Sequence, residues 1–121
     1  VGIAVENLKI FEEEKIVESL QPKIKKLEQC TQKFWNLKHV GDVRQLGMIA
    51  AVEIVQDKTT KEPYPFEQRM GVKIYKEALK RGAILRPIGN AVYIMTPYVI
   101  TEEEIEMLVD IAFESIKAAT E

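Results

Sequence analysis

The sequence predicts a single α+β domain over residues 1–121, in which a small, mostly antiparallel sheet is packed with helices. Apolar residues recur at helical spacing near both ends of the chain and again over 66–82. A continuous apolar run in the middle of the chain, and two short runs separated by a turn signal, are typical of strands. In chain order these patterns predict helix, helix, strand, helix, strand, strand and helix.

The composition is that of an ordinary globular chain of one-domain size. Of the 121 residues, 30% are charged and 46% belong to the set AVILMFWYC, and the formal net charge is −2. This slightly acidic balance provides no basic field for phosphate backbones, which argues against nucleic acid as a partner. No apolar run is long enough to cross a bilayer, and the first residues do not have the pattern of a signal peptide.

Cysteine and histidine are too few for a disulfide or a metal centre. The single cysteine, Cys30, favours a reducing, cytoplasmic compartment. His39 has no acid or thiol beside it at ligand spacing, so we interpret it as a polar loop residue and predict no metal site. The chain also lacks a Gly-rich phosphate loop and a Ser/His/Asp set. Because it begins Val1-Gly2-Ile3 without an initiator methionine, we expect a fragment of a longer protein.

Residues 1–36 are predicted to be helical. A second, longer helix is expected from Ile16 to Phe34, with Pro22 in its first turns or bending it. The acidic run 12–14 precedes this helix, and we interpret it as the solvated helix start, because carboxylates favour the positive end of a helix. A first helix is indicated by a stripe at three- and four-residue intervals, formed by Ile3, Ala4, Leu8 and Phe11.

Residues 42–55 are predicted to form the central strand. The stretch 49–52 is apolar without interruption, which is typical of a strand covered on both faces. Gly47 interrupts the strand pattern, and we expect either a bulge there or a place where another chain or a ligand comes close.

Two more helices follow a polar, Pro-containing surface loop. The first is predicted over 66–82, where basic residues and Gly82 end it. The last is predicted over 101–119, and Thr101 and Glu104 have the spacing of a capping box at its start.

Residues 83–97 are predicted to form a β-hairpin in which a cation, Arg86, interrupts an apolar element. Pro87 restrains Arg86 to an extended conformation, and Gly89-Asn90 can adopt the left-handed dihedral angles of a tight turn. A guanidinium held in this way suits bidentate binding of a carboxylate or phosphate, so Arg86 is a candidate anion clamp. The alternative is an arginine at a strand end that pairs with a nearby glutamate.

Two stretches resemble a known enzyme family. They are V-G-D-V-R-Q-L-G-M-I-A-A-V-E and R-G-A-I-L-R-P-I-G-N-A-V-Y-I-M-T-P-Y-V-I-T-E-E-E-I, and both resemble the C-terminal part of class III (subgroup II) pyridoxal-phosphate aminotransferases. The narrower pattern L-R-P-x-G-x-x-x-Y-x-M-x-P-Y resembles the branch of the family in biotin synthesis. Thr96 departs slightly, because a second proline is frequent there. The matching residues are Leu85, Arg86, Pro87, Gly89, Tyr93, Met95, Pro97 and Tyr98.

The resemblance covers essentially the whole sequence but only the last quarter to third of a family chain. It implies the C-terminal small domain of a fold type I pyridoxal-phosphate transferase that works as a homodimer. The implied reaction is ping-pong amino transfer from S-adenosylmethionine to 8-amino-7-oxononanoate, giving 7,8-diaminononanoate. Arg86 matches the family arginine that binds the carboxylate of this keto acid.

The resemblance also implies what these residues leave to the rest of the chain. Motifs for the cofactor lysine are absent, so pyridoxal 5'-phosphate is expected to be held mainly by a large domain outside this sequence. No residue here is then assigned as catalytic or cofactor-binding, and the 121 residues alone are expected to be inactive.

Two other hypotheses stay open. The chain could belong to another class III transaminase, acting on an ω-amino acid or a similar amine. It could also be a non-catalytic domain that binds an anion or a partner. The amino donor, adenosylmethionine or lysine, is not fixed by these residues.

Overall fold

The computed structural model describes all of residues 1–121 and contains one sheet with helices on one of its faces. The strands are β1 (Val40–Leu46), β2 (Ile49–Asp57), β3 (Glu62–Pro63), β4 (Arg86–Ile88) and β5 (Ala91–Met95). The main strands lie in the order β1-β2-β5-β4, all neighbours are antiparallel, and the short β3 also pairs with β2. The predicted α+β fold with a small antiparallel sheet is confirmed.

Helices cover the inner face of this sheet. The covering helices are α3 (Gln21–Thr31), α4 (Met70–Lys80) and α5 (Glu102–Thr120), with 3₁₀ segments at Gln32–Asn36 and Phe66–Gln68, whereas α1 (Gly2–Glu13) and α2 (Ile16–Ser19) precede this layer and bury none of their residues. The core lies between the sheet and helices α3, α4 and α5. Its largest fully buried side chains include Leu27, Phe34, Ile54, Ile74, Leu85, Ile94, Ile105 and Ile116. None of the helices is long and apolar enough to cross a membrane.

The opposite face of the sheet, here called the outer face, has no helix against it. Leu46 is 86% exposed, Met95 58% and Ile49 40%. The expectation that the 49–52 run is covered on both faces is therefore wrong at Ile49, whereas Ala50 and Val52 are buried as expected. Ala51 is nonetheless buried, because larger residues flank it on both neighbouring strands. The residues of the outer face are Asp42, Arg44, Leu46, Ile49, Ala51, Glu53, Arg86, Ile88, Ala91, Tyr93 and Met95.

The first 36 residues form more pieces than the sequence predicts. Lys15 has a left-handed conformation (φ 48°) that separates α1 from α2. Glu12 and Glu13 therefore end α1, so the interpretation of the acidic run as a helix start is wrong. The predicted single helix from residue 16 to 34 is also wrong, because α2 stops at Ser19 and Pro22, in the first turn of α3, has no N–H to continue the hydrogen bonding.

The predicted strand over 42–55 is two antiparallel strands. Leu46 pairs with Ile49 across a two-residue turn, and Gly47 has φ +57° there, with nothing within 4 Å of where a Cβ would lie. Gly47 is thus not a bulge but part of the turn, and the register of this hairpin shifts between Val40 and Asp42 instead. The approach of another chain or a ligand at Gly47 stays a prediction. An isolated glycine inside an apolar run marks a reversal here, because it supplies the positive φ of a tight turn.

The two later helices differ from their predicted ranges mainly at their starts. The helix expected over 66–82 begins at Met70, because Arg69 takes a left-handed conformation (φ 46°) after a 3₁₀ turn. Gly82, with φ +89°, follows its end, where the N–H of Ala83 donates to Ala78 at 3.0 Å. Thr101 and Glu104 form the reciprocal capping box that the sequence predicts.

Candidate functional site

The β4–β5 hairpin holds the predicted anion clamp, Arg86. Arg86 opens β4 and pairs with Tyr93, and Ile88 pairs with Ala91 at the turn. Gly89 has φ +59°, as expected of this turn, whereas Asn90 does not take a positive φ. Pro87 follows Arg86 directly and restrains it to an extended backbone, so the direction in which the arginine leaves the strand is fixed by local geometry.

The guanidinium of Arg86 has no partner within the chain. Its side chain is exposed, and it takes part in none of the hydrogen bonds or ion pairs of the structure. The alternative of an ion pair with a nearby glutamate therefore has no support in the structure. Five donors in a planar fork remain free to bind a carboxylate or a phosphate.

A second arginine lies in the same cross-strand row but is fully engaged. The pairings place Arg44, Ala51, Tyr93 and Arg86 side by side across the four strands. Arg44 donates to Glu53 and to Asp42, each at 2.9 Å, and these hydrogen bonds raise the pKa of the Arg44 guanidinium. The two carboxylates offset its charge, so the free positive charge of the outer face is concentrated at Arg86.

Exposed apolar residues lie close to Arg86 along the chain and on the neighbouring strand. Ile88 is 68% exposed on the outer face, Ile84 just before the hairpin is 74% exposed, and Met95 lies on the adjacent strand. The Tyr93 hydroxyl forms no hydrogen bond within the chain. A cationic fork beside exposed aliphatic surface suits a carboxylate carried on an aliphatic chain, since the charge can pair while the chain covers the apolar side chains.

A cleft of about 360 Å³ lies on the other side of the hairpin. Arg86 does not line it, because Arg86 projects from the outer face while the neighbouring Pro87 faces α4. The cleft lining also contains no lysine, so these residues do not form a pyridoxal-phosphate site there. The lining residues are Tyr64, Pro65, Phe66, Arg69, Met70, Gly71, Val72, Pro87, Gly89 and Asn90.

His39, interpreted from the sequence as a polar loop residue, is a half-buried structural residue. Its Nδ1 lies 3.1 Å from the carbonyl oxygens of both Val55 and Gln56, and 3.0 Å from the hydroxyl of Tyr64. Two carbonyl acceptors require Nδ1 to carry the proton. Burial raises the pKa of the Tyr64 hydroxyl.

No group of three His, Cys, Asp or Glu side chains is placed to hold a metal ion.

Contacts of the hairpin turn were missed from the sequence. Gly71, at the start of α4, touches the turn closely, and Asn90 donates from Nδ2 to the carbonyl oxygen of Tyr64 at 3.0 Å. The only sequence signal for either contact is the residue type, a glycine in a helix and an asparagine in a turn. The partners of Gly71, Pro87 and Gly89, and the partner of Asn90 all lie more than a dozen residues away along the chain, so local patterns do not reveal them.

Comparison with known proteins places these residues in one family. The family model described as "Aminotransferase class-III" matches residues 1–116. The adenosylmethionine-8-amino-7-oxononanoate aminotransferase of Aquifex aeolicus is 47% identical over 116 residues, which are 96% of this chain and 26% of that protein.

Solved structures agree with the sequence comparison. The crystal structure of the enzyme with the same name from Methanocaldococcus jannaschii has a TM-score of 0.92 at 43% identity, covering 95% of this chain and 26% of that one. An omega transaminase from Pseudomonas jessenii, in complex with PMP, has a TM-score of 0.88 at 36% identity, covering 98% and 26%. The chain thus spans about a quarter of the length of these relatives.

Proposed function

Because the chain belongs to the class III aminotransferases, we propose that the full-length protein transfers an amino group from S-adenosylmethionine to 8-amino-7-oxononanoate in biotin synthesis, giving 7,8-diaminononanoate. Relatives with 41 to 47% identity carry the name of that enzyme. In this proposal Arg86 binds the carboxylate of the keto acid. The observation that carries the role of Arg86 is its unpaired guanidinium beside exposed aliphatic side chains.

The role of Arg86 is to orient the acceptor. A bidentate guanidinium–carboxylate pair fixes the far end of the keto acid, and its aliphatic chain can then lie along Ile84 and Ile88. Holding one end of the substrate directs the ketone at the other end, which lowers the entropic cost of reaction. A charge-assisted hydrogen bond of this kind contributes about 1.5–3 kcal/mol.

The cofactor of the proposed reaction is pyridoxal 5'-phosphate, as the family and the PMP-bound relative imply. When bound, it carries the amino group between donor and acceptor. Since the family motifs for the cofactor lysine are absent from these residues, we assign cofactor binding and the catalytic residues to the remainder of the full-length enzyme, and we expect these 121 residues alone to be inactive. We further propose that the enzyme is a cytoplasmic homodimer, whose partners are small-molecule substrates.

The test compares the two half-reactions in the full-length enzyme. We expect Arg86→Ala to raise KM for 8-amino-7-oxononanoate by a factor of about 10 to 100, the equivalent of 1.5–3 kcal/mol, and to change the reaction with the amino donor by less than about twofold. Arg86→Lys should recover only part of the loss, because an ammonium cannot form the planar fork.

Arg69→Ala is the matched control. Arg69 is also exposed and unpaired, but it lines the cleft on the other side of the hairpin. Its substitution removes the same charge and should leave KM for the keto acid within about twofold of the unmodified enzyme, since the removed charge lies away from the outer face. Equal losses in both half-reactions of Arg86→Ala, followed by stopped-flow absorbance, would rule out the assigned role.

A second candidate function is transamination of an ω-amino acid or a simple amine. It is favoured by the likeness to the omega transaminase, which has the same fold at 36% identity. A screen of amino donors and keto acceptors with the full-length enzyme separates the two. Turnover of ω-amino acids without turnover of 8-amino-7-oxononanoate would establish the second function. Turnover of neither, with no cofactor absorbance, would favour a non-catalytic domain that binds an anion or a partner.

A further inference from the structure

The hairpin that presents Arg86 packs against the first turn of α4 at a position where a side chain does not fit. A Cβ at residue 71 would lie 2.7 Å from the carbonyl oxygen of Gly89 and 2.7 Å from the Cβ of Pro87. Both distances are well inside van der Waals contact, and one of the two atoms belongs to the backbone. Helix and hairpin approach this closely because Gly71 has no side chain.

The turn of the hairpin is fixed on its other sides. The carbonyl oxygen of Asn90 accepts from the N–H of Ile54 at 2.7 Å, and the Asn90 side chain donates to the carbonyl of Tyr64 at 3.0 Å. Tyr64 is itself within hydrogen-bond distance of His39. The turn therefore cannot move away from α4 without losing these hydrogen bonds.

The strand that carries Arg86 has few other supports. β4 is three residues long and lies at the edge of the sheet, so it pairs with β5 alone. Pro87 stands between Arg86 and the turn, and its Cβ is one of the atoms nearest to where a Cβ of residue 71 would lie. A shift of Pro87 is passed directly to Arg86, because the two are joined by one planar peptide bond.

We propose that Gly71 is a positioning residue for Arg86. Because Gly71 has no side chain, α4 packs directly against Pro87 and fixes its position. The position of Pro87 in turn determines where the guanidinium of Arg86 meets the carboxylate of the acceptor. The turn contacts of Asn90 complete the support from the opposite side. This inference rests on the proposed function of Arg86.

The test uses Gly71→Ala in the full-length enzyme. We expect KM for the keto acid to rise by about tenfold, since a displacement of about 1 Å is enough to disturb a bidentate pair. The rate of the half-reaction with the amino donor should change by less than about twofold, because the substitution acts on catalysis only through Arg86, which contacts the keto acid and not the donor. In a crystal structure of the variant, β4 should be displaced from its position in the unmodified enzyme.

Gly41→Ala is the matched control for crowding. A Cβ there would lie 2.6 Å from Cγ1 of Val55, but Gly41 is on β1, at the opposite edge of the sheet from β4. It should lower stability without a selective change in KM for the keto acid.

If Gly71→Ala does not fold, Asn90→Ala provides the second variant, because it loosens the same turn from the other side without adding atoms. We expect it to raise the same KM by about threefold or more, as loss of one hydrogen bond would.

A double-variant comparison separates this inference from the proposed function. If Gly71 acts through Arg86, Gly71→Ala should have no further effect on KM for the keto acid in an Arg86→Ala background. An equal effect in both backgrounds overturns the inference while the role of Arg86 stands. If Arg86→Ala alone has no selective effect, the proposed function fails. An undisplaced β4 in the crystal structure of Gly71→Ala overturns the inference whatever Arg86 binds.

Discussion

Arg44 and Arg86 lie in one cross-strand row on the outer face of the sheet, but only Arg44 has carboxylate partners. The two arginines are separated by three strand spacings, about 14 Å. Two exposed arginines on the same surface therefore differ in the charge that they offer a ligand. The arrangement makes Arg44 an internal comparison for Arg86.

Substitution of Arg44 should leave acceptor binding nearly unchanged. We expect Arg44→Gln in the full-length enzyme to alter KM for the keto acid by less than about twofold at physiological salt, because 14 Å exceeds the screening length of about 8 Å. Steady-state kinetics at two salt concentrations would check this. A tenfold rise that persists at high salt would mean that Arg44 binds the substrate as well.

Removal of the cap at the start of α5 should loosen that helix. The Thr101 hydroxyl accepts from the N–H of Glu104 at 3.1 Å, and the Glu104 side chain accepts from the N–H of Thr101 at 3.1 Å. We expect Thr101→Ala to lower the stability of α5 by about 1 kcal/mol. The measurement is hydrogen exchange, which should become faster in the first turns of α5. Thr59→Ala, in an exposed loop where the hydroxyl has no partner, is the control. Unchanged exchange in α5 would count against the cap.

Glu77 should contribute to stability at neutral pH but not in acid. Hydrogen bonds from Lys80 (2.6 Å) and Arg81 (2.7 Å) lower the pKa of its carboxyl below the ordinary value of 4.5. Since the pKa is lower in the folded state, the stabilisation is present above pH 4.5 and is lost as the pH falls through the folded-state pKa.

The measurement is hydrogen exchange in α4 for Glu77→Gln as a function of pH. We expect α4 to be less protected than in the unmodified protein at pH 7, and the difference to shrink below pH 4.5. Glu67→Gln, at an exposed glutamate without an ion pair, should show no such trend. If the difference in α4 protection between Glu77→Gln and the unmodified protein grew as the pH fell, the stabilising role of the Glu77 carboxylate would be contradicted.

A side chain at Gly47 should destabilise the β1–β2 hairpin through its backbone alone. Because nothing lies within 4 Å of the Cβ position and φ is +57°, the expected cost of Gly47→Ala is about 1 kcal/mol for the left-handed conformation. Gly47→Asn should cost less, since asparagine adopts this region more readily. Gly2→Ala, at the first residue of α1 with equally open space, should instead stabilise its helix slightly, by less than the roughly 0.5–1 kcal/mol that applies in the middle of a helix. Hydrogen exchange should become faster in the β1–β2 hairpin of Gly47→Ala and slower in α1 of Gly2→Ala.

Features encoded by neighbouring residues could be predicted from the sequence. The turn at Gly89-Asn90, the direction of Arg86 and the Thr101 cap each depend on two to four consecutive residues, and all three agree with the structure. The reversal at Gly47 was not predicted, because one glycine in an apolar run is compatible with a bulge or a turn and only strand pairing decides between them.

Features that depend on distant residues could not be predicted in this way. The contact of Gly71 with Gly89 depends on how α4 packs on the sheet, and helical spacing is silent on it. The exposure of the outer face has the same origin, since the apolar run 49–52 reveals a tendency to burial but not which element covers it. The lack of a carboxylate partner for Arg86 likewise could not be predicted, because it depends on the positions of all the Asp and Glu side chains in the folded chain.

The position of β4 at the edge of the sheet has a consequence for the behaviour of the protein in solution. An edge strand exposes unpaired backbone groups that can recruit a strand from another molecule. Here the strand is three residues long, its middle residue is a proline without an N–H, and its first residue is a charged arginine. All three features oppose the addition of a further strand. The residues that present the guanidinium therefore also protect the sheet from intermolecular pairing and aggregation.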